Sequence, residues 1–148
     1  MKILHGISFV PALVIGPEKS VAGDEVRIGF TWESSAPRSK GPGVYLLYSN
    51  DRLVYVGSYQ GGLARRWLYT RKQDLYHFKK KKILEELRTS ASLRVFAQEE
   101  DAIKKQIGQA GNQWITSAGI ESFLIRSESP PWNRIGKKKM KPGKPAHP

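Results

Sequence analysis

The stretch from Gly43 to Gly57 constrains the fold of this 148-residue chain more than any other segment. It reads GVYLLYSNDRLVYVG, and its two short apolar runs flank the polar turn at 49–52. Apolar residues recur at a period of two, with many β-branched and aromatic side chains, which predicts a β-hairpin. The tripeptides 43–45 and 55–57 then lie on opposite strands, in a register that can bring their two tyrosines together.

The chain is strongly basic, with 25 Lys and Arg residues against 13 Asp and Glu and a net charge of +12. Such a charge predicts contact with a polyanion, most commonly nucleic acid, although it could serve solubility alone. The absence of cysteine excludes disulfides, zinc–thiolate sites and a thiol nucleophile, and the three histidines are widely scattered. No segment has the length or pattern of a membrane span or a signal peptide, so we expect a soluble cytoplasmic protein.

The length predicts one main domain with extensions at both ends. Residues 1–40 form a β-rich extension with two predicted extended segments, 3–15 and 25–32, and no catalytic pattern. This extension is either an arm that touches DNA or a partner subunit, or a set of extra strands that completes a sheet. Residues 41–136 form the main domain. Residues 137–148 hold five lysines among proline and glycine, which predicts a flexible basic tail.

A helix is predicted to begin near Leu63, with Leu63 and Trp67 on one face. Arg66 flanks that apolar face, whereas Arg65 points away from it, so Arg66 is the better placed of the two to reach a site on the hairpin. Both arginines could instead belong to a solvated basic face. A second helix at 76–88 and a third strand at 92–97 follow.

Eight basic residues and one acid lie between positions 65 and 82. We interpret them as a stripe that follows DNA phosphates and positions the duplex without reading its sequence, with a solvated helix face as the alternative. The candidate DNA-binding residues are Arg65, Arg71, Lys72, Lys79, Lys80, Lys81 and Lys82.

Glu121 lies in a helix-rich region, 99–126, that glycines at 108, 111 and 119 could interrupt. A continuous helix places Glu121 in an inward apolar stripe with Ala118 and Ile125, where its carboxylate is costly unless a cation or hydrogen-bond donors meet it. A restart near Gly119, with Ser117 as N-cap, places it in the first helical turn instead. An arginine partner would also satisfy its charge.

Taken in order, these segments resemble the GIY-YIG nuclease superfamily, especially its bacteriophage members. The resemblance is carried by GVY at 43–45, YVG at 55–57, the apolar residue three places before Arg66, the apolar pair 124–125 after Glu121, and Pro-Pro-Trp-Asn ending at Asn133. It implies an α+β fold, in which a small three-stranded, mainly antiparallel sheet is flanked by helices, here with an N-terminal extended β arm.

The resemblance also implies a metal-dependent DNA endonuclease that hydrolyses phosphodiesters by in-line attack of water. The implied catalytic residues are Tyr45, Tyr55, Arg66, Glu121 and Asn133, with Arg65 and Tyr69 as further candidates. Glu121 would hold one Mg²⁺ or Mn²⁺ ion per site. Arg66 would bind a phosphate oxygen, and Tyr45 would accept the proton of the attacking water or orient that water. Asn133 is expected either to anchor the terminal loop against the site or to be a turn residue.

Two positions depart from the family pattern. Thr70 stands where many members have His or Tyr, and Ser58 stands where some have a lysine, whose function Gln60 or Arg65 could supply.

Because one site per chain cuts one strand, we expect a homo-oligomer, a dimer or tetramer, acting on double-stranded DNA. A non-catalytic nucleic-acid-binding module and a structure-specific repair or recombination nuclease are the alternative functions.

Overall fold

The computed structural model describes residues 1–19, 26–72, 78–89, 92–108 and 115–133, with the side chains of 18, 19, 26, 27, 68–72 and 78–80 excepted. The elements in chain order are β1 (Lys2–Leu4), β2 (Ile7–Lys19), β3 (Val26–Trp32), β4 (Gly43–Ser49), β5 (Arg52–Tyr59), α1 (Leu63–Lys72), α2 (Phe78–Arg88), β6 (Leu93–Glu99), α3 (Glu100–Gln106) and α4 (Ser117–Glu128).

The strands pair antiparallel in a six-stranded sheet of order β1–β2–β6–β4–β5, with β3 also paired to β2. The long strand β2 pairs with β1 at its start and with β3 at its end, while Val10–Ile15 pair with β6. Pro11, which has no backbone N–H to donate, lies where the β2–β6 register shifts. In the described part of the chain, β5 ends the sheet as an edge strand.

The predicted α+β fold with a three-stranded sheet is wrong, because the described chain is mostly β and forms a curled six-stranded sheet. Strands β4, β5 and β6 are present where they were predicted, but β2 continues the sheet beyond β6. The cause is apolar burial: β2 places Ala12, Leu13 and Ile15 in the same core as Tyr45 and Leu47. Of the two roles considered for the N-terminal residues, the structure shows extra strands. The domain boundaries at 40 and 136 stay a prediction.

Strand β4 is the centre of the fold, and each of its residues is buried. Strands β5 and β6 flank it, and helices cover both of its faces. On one face, Tyr45 and Leu47 belong to a core shared with α1 and α2. On the other face, Val44 and Leu46 belong to a core shared with α3 and α4. This two-sided burial explains why GVYLLYS is almost continuously apolar.

The helices predicted near Leu63 and at 76–88 are confirmed as α1 and α2, with residues 73–77 outside the described chain.

Of the two alternatives for residues 99–126, the continuous helix is wrong. Helix α3 ends at Gln106, and Gly108 has φ +73°, which favours glycine. Helix α4 restarts at Ser117, but its N-cap is Thr116, whose side chain accepts a hydrogen bond from the Gly119 N–H at 3.1 Å. Glu121 therefore lies beyond the first turn. Among the described residues, no helix is long and apolar enough to cross a membrane.

Candidate active site

The β4–β5 hairpin places its two motif tyrosines on one face of the sheet. Tyr45 pairs with Gly57, and Tyr55 pairs with Leu47, so the tyrosines are diagonal neighbours across the strand pair. Their ring centroids are 6.2 Å apart, with the planes tilted by 35°. The predicted proximity of the two phenols is therefore present in the structure.

The motif glycines allow phenol rings to lie directly against the neighbouring strand. A Cβ added to Gly57 would overlap the ring of Tyr45, and one added to Gly43 would overlap the Tyr59 hydroxyl. Each glycine is the cross-strand partner of the tyrosine that covers it. The glycine of YVG opposite the tyrosine of GVY thus has a packing reason, because a side chain at position 57 would push Tyr45 away.

Gly57→Ala is expected to lower the free energy of unfolding by about 1–3 kcal/mol, because the new methyl group overpacks against a buried ring. Gly16→Ala is the matched control, since nothing lies within 4 Å of a Cβ added at this β2 glycine. It should change stability by less than about 0.5 kcal/mol. Urea unfolding of both variants gives the comparison, and equal losses would contradict the packing explanation.

Helix α1 brings Arg66 to the two tyrosines. Leu63 and Trp67 are fully buried, and Trp67 packs edge-on against Tyr45 with ring centroids 5.3 Å apart. Arg66, next to Trp67 and half-buried, donates a side-chain hydrogen bond to the Tyr45 phenol. Arg65 is exposed and lies along Gly61 instead. The geometry thus selects Arg66 as the arginine in contact with the hairpin tyrosines.

Burial raises the pKa of both phenols above the ordinary value of a tyrosine, so both are neutral near neutral pH. Burial is the largest cause that raises the pKa of Tyr45, followed by the neighbouring Tyr55, whereas Arg66 lowers it. Burial also raises the pKa of Tyr55, which Arg66 again lowers and Glu121 raises. In the protein alone, the guanidinium therefore does not offset the cost of burying a phenolate. Tyr45 is arranged as a neutral hydrogen-bonding group in this state.

Glu121 reaches the same site from α4. It is half-buried, and its Oε1 accepts a hydrogen bond of 2.9 Å from the Ser58 hydroxyl of β5. Its negative charge raises the pKa of both Tyr45 and Tyr55, which places the carboxylate within electrostatic range of the phenols. Tyr45, Tyr55 and Arg66 thus interact on one face of the sheet, and Glu121 acts on the two phenols electrostatically from α4, whose apolar residues pack on the other face.

The side chains of the site can be compared with the ligands that a divalent cation requires. Among the residues that the structure describes, no group of three or more His, Cys, Asp or Glu residues forms a ligand cage. Glu121 is the carboxylate of the site. Mg²⁺ commonly binds proteins through one or two carboxylates and completes its octahedron with waters and substrate phosphates. The residues fit such a site, in which the protein supplies one carboxylate and the substrate supplies phosphate oxygens.

Asn133 holds the edge strand that carries Tyr55. Its side-chain Oδ1 accepts a hydrogen bond from the Val56 N–H at 2.9 Å, and its Nδ2 donates to the Val56 carbonyl at 3.0 Å. The amide thus satisfies backbone groups that β5 would otherwise leave open at the sheet edge. Pro130 and Trp132 are buried beside it. Of the two roles considered for Asn133, this geometry corresponds to an anchor of the terminal loop against the site.

A surface cleft of about 460 Å³ lies along the start of α1. It is lined by Tyr59, Gln60, Gly61, Gly62, Arg65 and Arg66. The cleft gives Arg65 and Gln60 access to a ligand that touches Arg66.

Two of the predicted DNA-binding lysines, Lys81 and Lys82, have side chains in the described part of α2. Lys81 is exposed. The Lys82 ammonium lies 3.4 Å from Glu85 and 5.9 Å from the ring centre of Trp132.

Several predicted residues lie where the structure gives no side-chain description. The backbone of Tyr69, Arg71 and Lys72 belongs to α1, and that of Lys79 and Lys80 belongs to α2, but their side chains lie outside the described part of the chain. Their proposed roles stay predictions. Two residues of the site, Ser58 and Trp67, are not indicated by the sequence. Ser58 stands there only as a departure from a family lysine, and Trp67 only as an apolar helix position.

Comparisons with known proteins found a similar fold but no similar sequence family. No protein-family model matches the chain, and no curated protein matches it. Among solved structures, a mutant of bacteriophage T4 EndoII matches with a TM-score of 0.53 and 18% sequence identity, covering 84% of this chain and 91% of that chain. The chain therefore has a fold related to that of a phage endonuclease.

Proposed function

We propose that this protein is a divalent-metal-dependent DNA endonuclease of the GIY-YIG type. The observation that carries the proposal is the convergence of Tyr45, Tyr55, Arg66 and Glu121 from distant segments on one cluster. The related fold of bacteriophage T4 EndoII, whose own sequence is only 18% identical, supports the same reading. The net charge of +12 suits a DNA substrate.

In the proposed mechanism, the Arg66 guanidinium binds a non-bridging oxygen of the scissile phosphate through its planar fork of donors. Tyr45 would orient the attacking water and accept its proton: burial raises the pKa of this phenol in the protein alone, but Arg66 lowers it, and the charge of a bound divalent cation would lower it further. Tyr55 donates a hydrogen bond to the phosphate or the water from β5. Glu121 would hold the Mg²⁺ or Mn²⁺ ion, which when bound neutralises charge on the phosphate and the departing 3′ oxygen.

Substrate contact is proposed to extend from this cluster along the cleft and the basic helices. Arg65 borders the cleft and would bind a phosphate next to the scissile one. The lysines at 79–82 would follow the duplex backbone without reading bases. Because each chain has one such cluster, double-strand cleavage is proposed to need two chains, in a dimer or tetramer. Sedimentation of a monomer that makes double-strand breaks in one binding event would contradict the oligomer.

Incubation of the native protein with supercoiled plasmid tests the proposed activity. We expect nicked and linear DNA in Mg²⁺ or Mn²⁺ and intact plasmid in EDTA, because without the ion the Glu121 carboxylate only adds negative charge beside the phosphate and the charge on the departing 3′ oxygen is not neutralised. Gel-shift experiments in EDTA should still detect binding, which weakens as salt rises. Binding without nicking in either metal would reject the nuclease and favour a non-catalytic nucleic-acid-binding module.

A further inference from the structure

The hydrogen bond between Ser58 and Glu121 connects the β4–β5 hairpin with helix α4. The Ser58 hydroxyl donates to Glu121 Oε1 at 2.9 Å, in a partly buried environment. Ser58 belongs to β5, whereas Glu121 belongs to α4, which packs through Ile120 and Leu124 into a separate core. This bond is thus a direct link between the carboxylate and the hairpin.

The position of Ser58 is fixed by the same strands that hold the tyrosines. Ser58 follows Gly57 and pairs with Val44, the neighbour of Tyr45. Asn133 clamps the backbone of Val56, two residues earlier on the same strand. A glutamate side chain has several rotatable bonds, and ordering them costs conformational entropy. A donor on a fixed strand can select one orientation of that carboxylate.

We propose that Ser58 is a positioning residue for Glu121, an inference that rests on the proposed nuclease function. The hydroxyl holds Oε1 and leaves Oε2 to face a divalent cation and the scissile phosphate. Because a hydroxyl is neutral, it orients the carboxylate without cancelling its charge, whereas an ammonium group at position 58 would compete with the cation for it. Ser58 therefore contributes to catalysis through the geometry of Glu121 and touches no reacting atom.

The test compares Ser58→Ala, Ser58→Thr and the control Ser127→Ala. Ser127 lies on the same helix as Glu121, but its hydroxyl donates to the Phe123 carbonyl at 2.8 Å on an exposed face. We expect Ser58→Ala to lower kcat about tenfold, the value of one well-placed hydrogen bond, and to raise several-fold the Mg²⁺ concentration at half-maximal rate. KM for DNA should not change. Ser58→Thr should stay within about twofold of the native rate, and Ser127→Ala should match the native protein.

Crystal structures of the metal-free native and Ser58→Ala proteins provide a readout that does not depend on activity. The Glu121 carboxylate should leave its native orientation or become disordered in Ser58→Ala and keep that orientation in Ser58→Thr. An unchanged carboxylate in Ser58→Ala would overturn the inference, whether or not the native protein cuts DNA.

The kinetic results separate the two proposals. If the native protein cuts DNA and Ser58→Ala cuts it equally well, or if Ser58→Thr is as impaired as Ser58→Ala, the positioning role is wrong and the nuclease function stands. If the native protein does not cut DNA, the proposed function fails, and the crystal structures alone decide whether Ser58 orients Glu121.

Discussion

Glu121→Gln is expected to lower the rate of DNA cleavage by about three orders of magnitude. The amide keeps the size of the side chain and can still accept a hydrogen bond from Ser58, which donates to the native carboxylate at 2.9 Å. It removes the negative charge that the proposed metal ion needs. Affinity for DNA in EDTA should be unchanged or slightly higher, since one repulsive charge is lost.

Glu128→Gln is the matched control for this loss of charge. Glu128 lies at the end of the same helix and pairs with His5 at 2.8 Å, with side-chain exposures of 29% and 40%. Removal of the charge from a partly exposed contact of this kind costs little stability. Glu128→Gln should cut DNA at the native rate, and circular dichroism should show both variants folded. Undiminished cleavage by Glu121→Gln would remove this residue from its proposed role.

Arg66→Ala is expected to lower kcat by about 10²–10³-fold, while Arg65→Ala acts mainly on binding. The two arginines are adjacent and carry the same charge, but only Arg66 donates a hydrogen bond to the Tyr45 phenol. Arg65 is exposed at the cleft. Arg65→Ala should therefore raise KM several-fold, with a smaller change in kcat. The salt dependence of its binding should correspond to the release of about one counterion fewer than in the native protein.

Single-turnover cleavage at saturating DNA, together with binding titrations over a range of salt, distinguishes the two arginines. Thermal unfolding of both variants is the control for folding, because Arg66 is half-buried beside Trp67. A larger fall in kcat for Arg65→Ala than for Arg66→Ala would reverse their assignment. Equal effects on KM alone would mean that neither guanidinium acts on the transition state.

The hairpin and the position of Arg66 next to it could be predicted because they depend on local periodicity, whereas which arginine is catalytic stays a prediction. Alternation over 43–57 predicts strand pairing, and a spacing of four places Leu63 and Trp67 on the buried face, with Arg66 beside them. The structure has the corresponding strands and helix. In these segments, the local pattern and the tertiary packing agree.

The extent of the sheet and the environment of Glu121 could not be predicted, because they depend on contacts between distant residues. Nothing local in residues 7–19 indicates that this strand pairs with β6, more than 70 positions later. Thr116 competes with Ser117 for the helix cap, and only the observed bond to Gly119 decides between them. The donor to Glu121 is Ser58, 63 residues away, which no sequence spacing identifies.

The central claim is that Tyr45, Tyr55, Arg66 and Glu121 surround one phosphodiester. A crystal structure of Glu121→Gln bound to a DNA duplex tests it most directly, since this variant should bind DNA without cutting it. We predict a backbone phosphate within hydrogen-bond distance of the Arg66 guanidinium and the Tyr55 phenol, with the flanking phosphates along the cleft to Arg65. A duplex that binds elsewhere on the protein, with no phosphate in contact with these residues, would contradict the proposed nuclease.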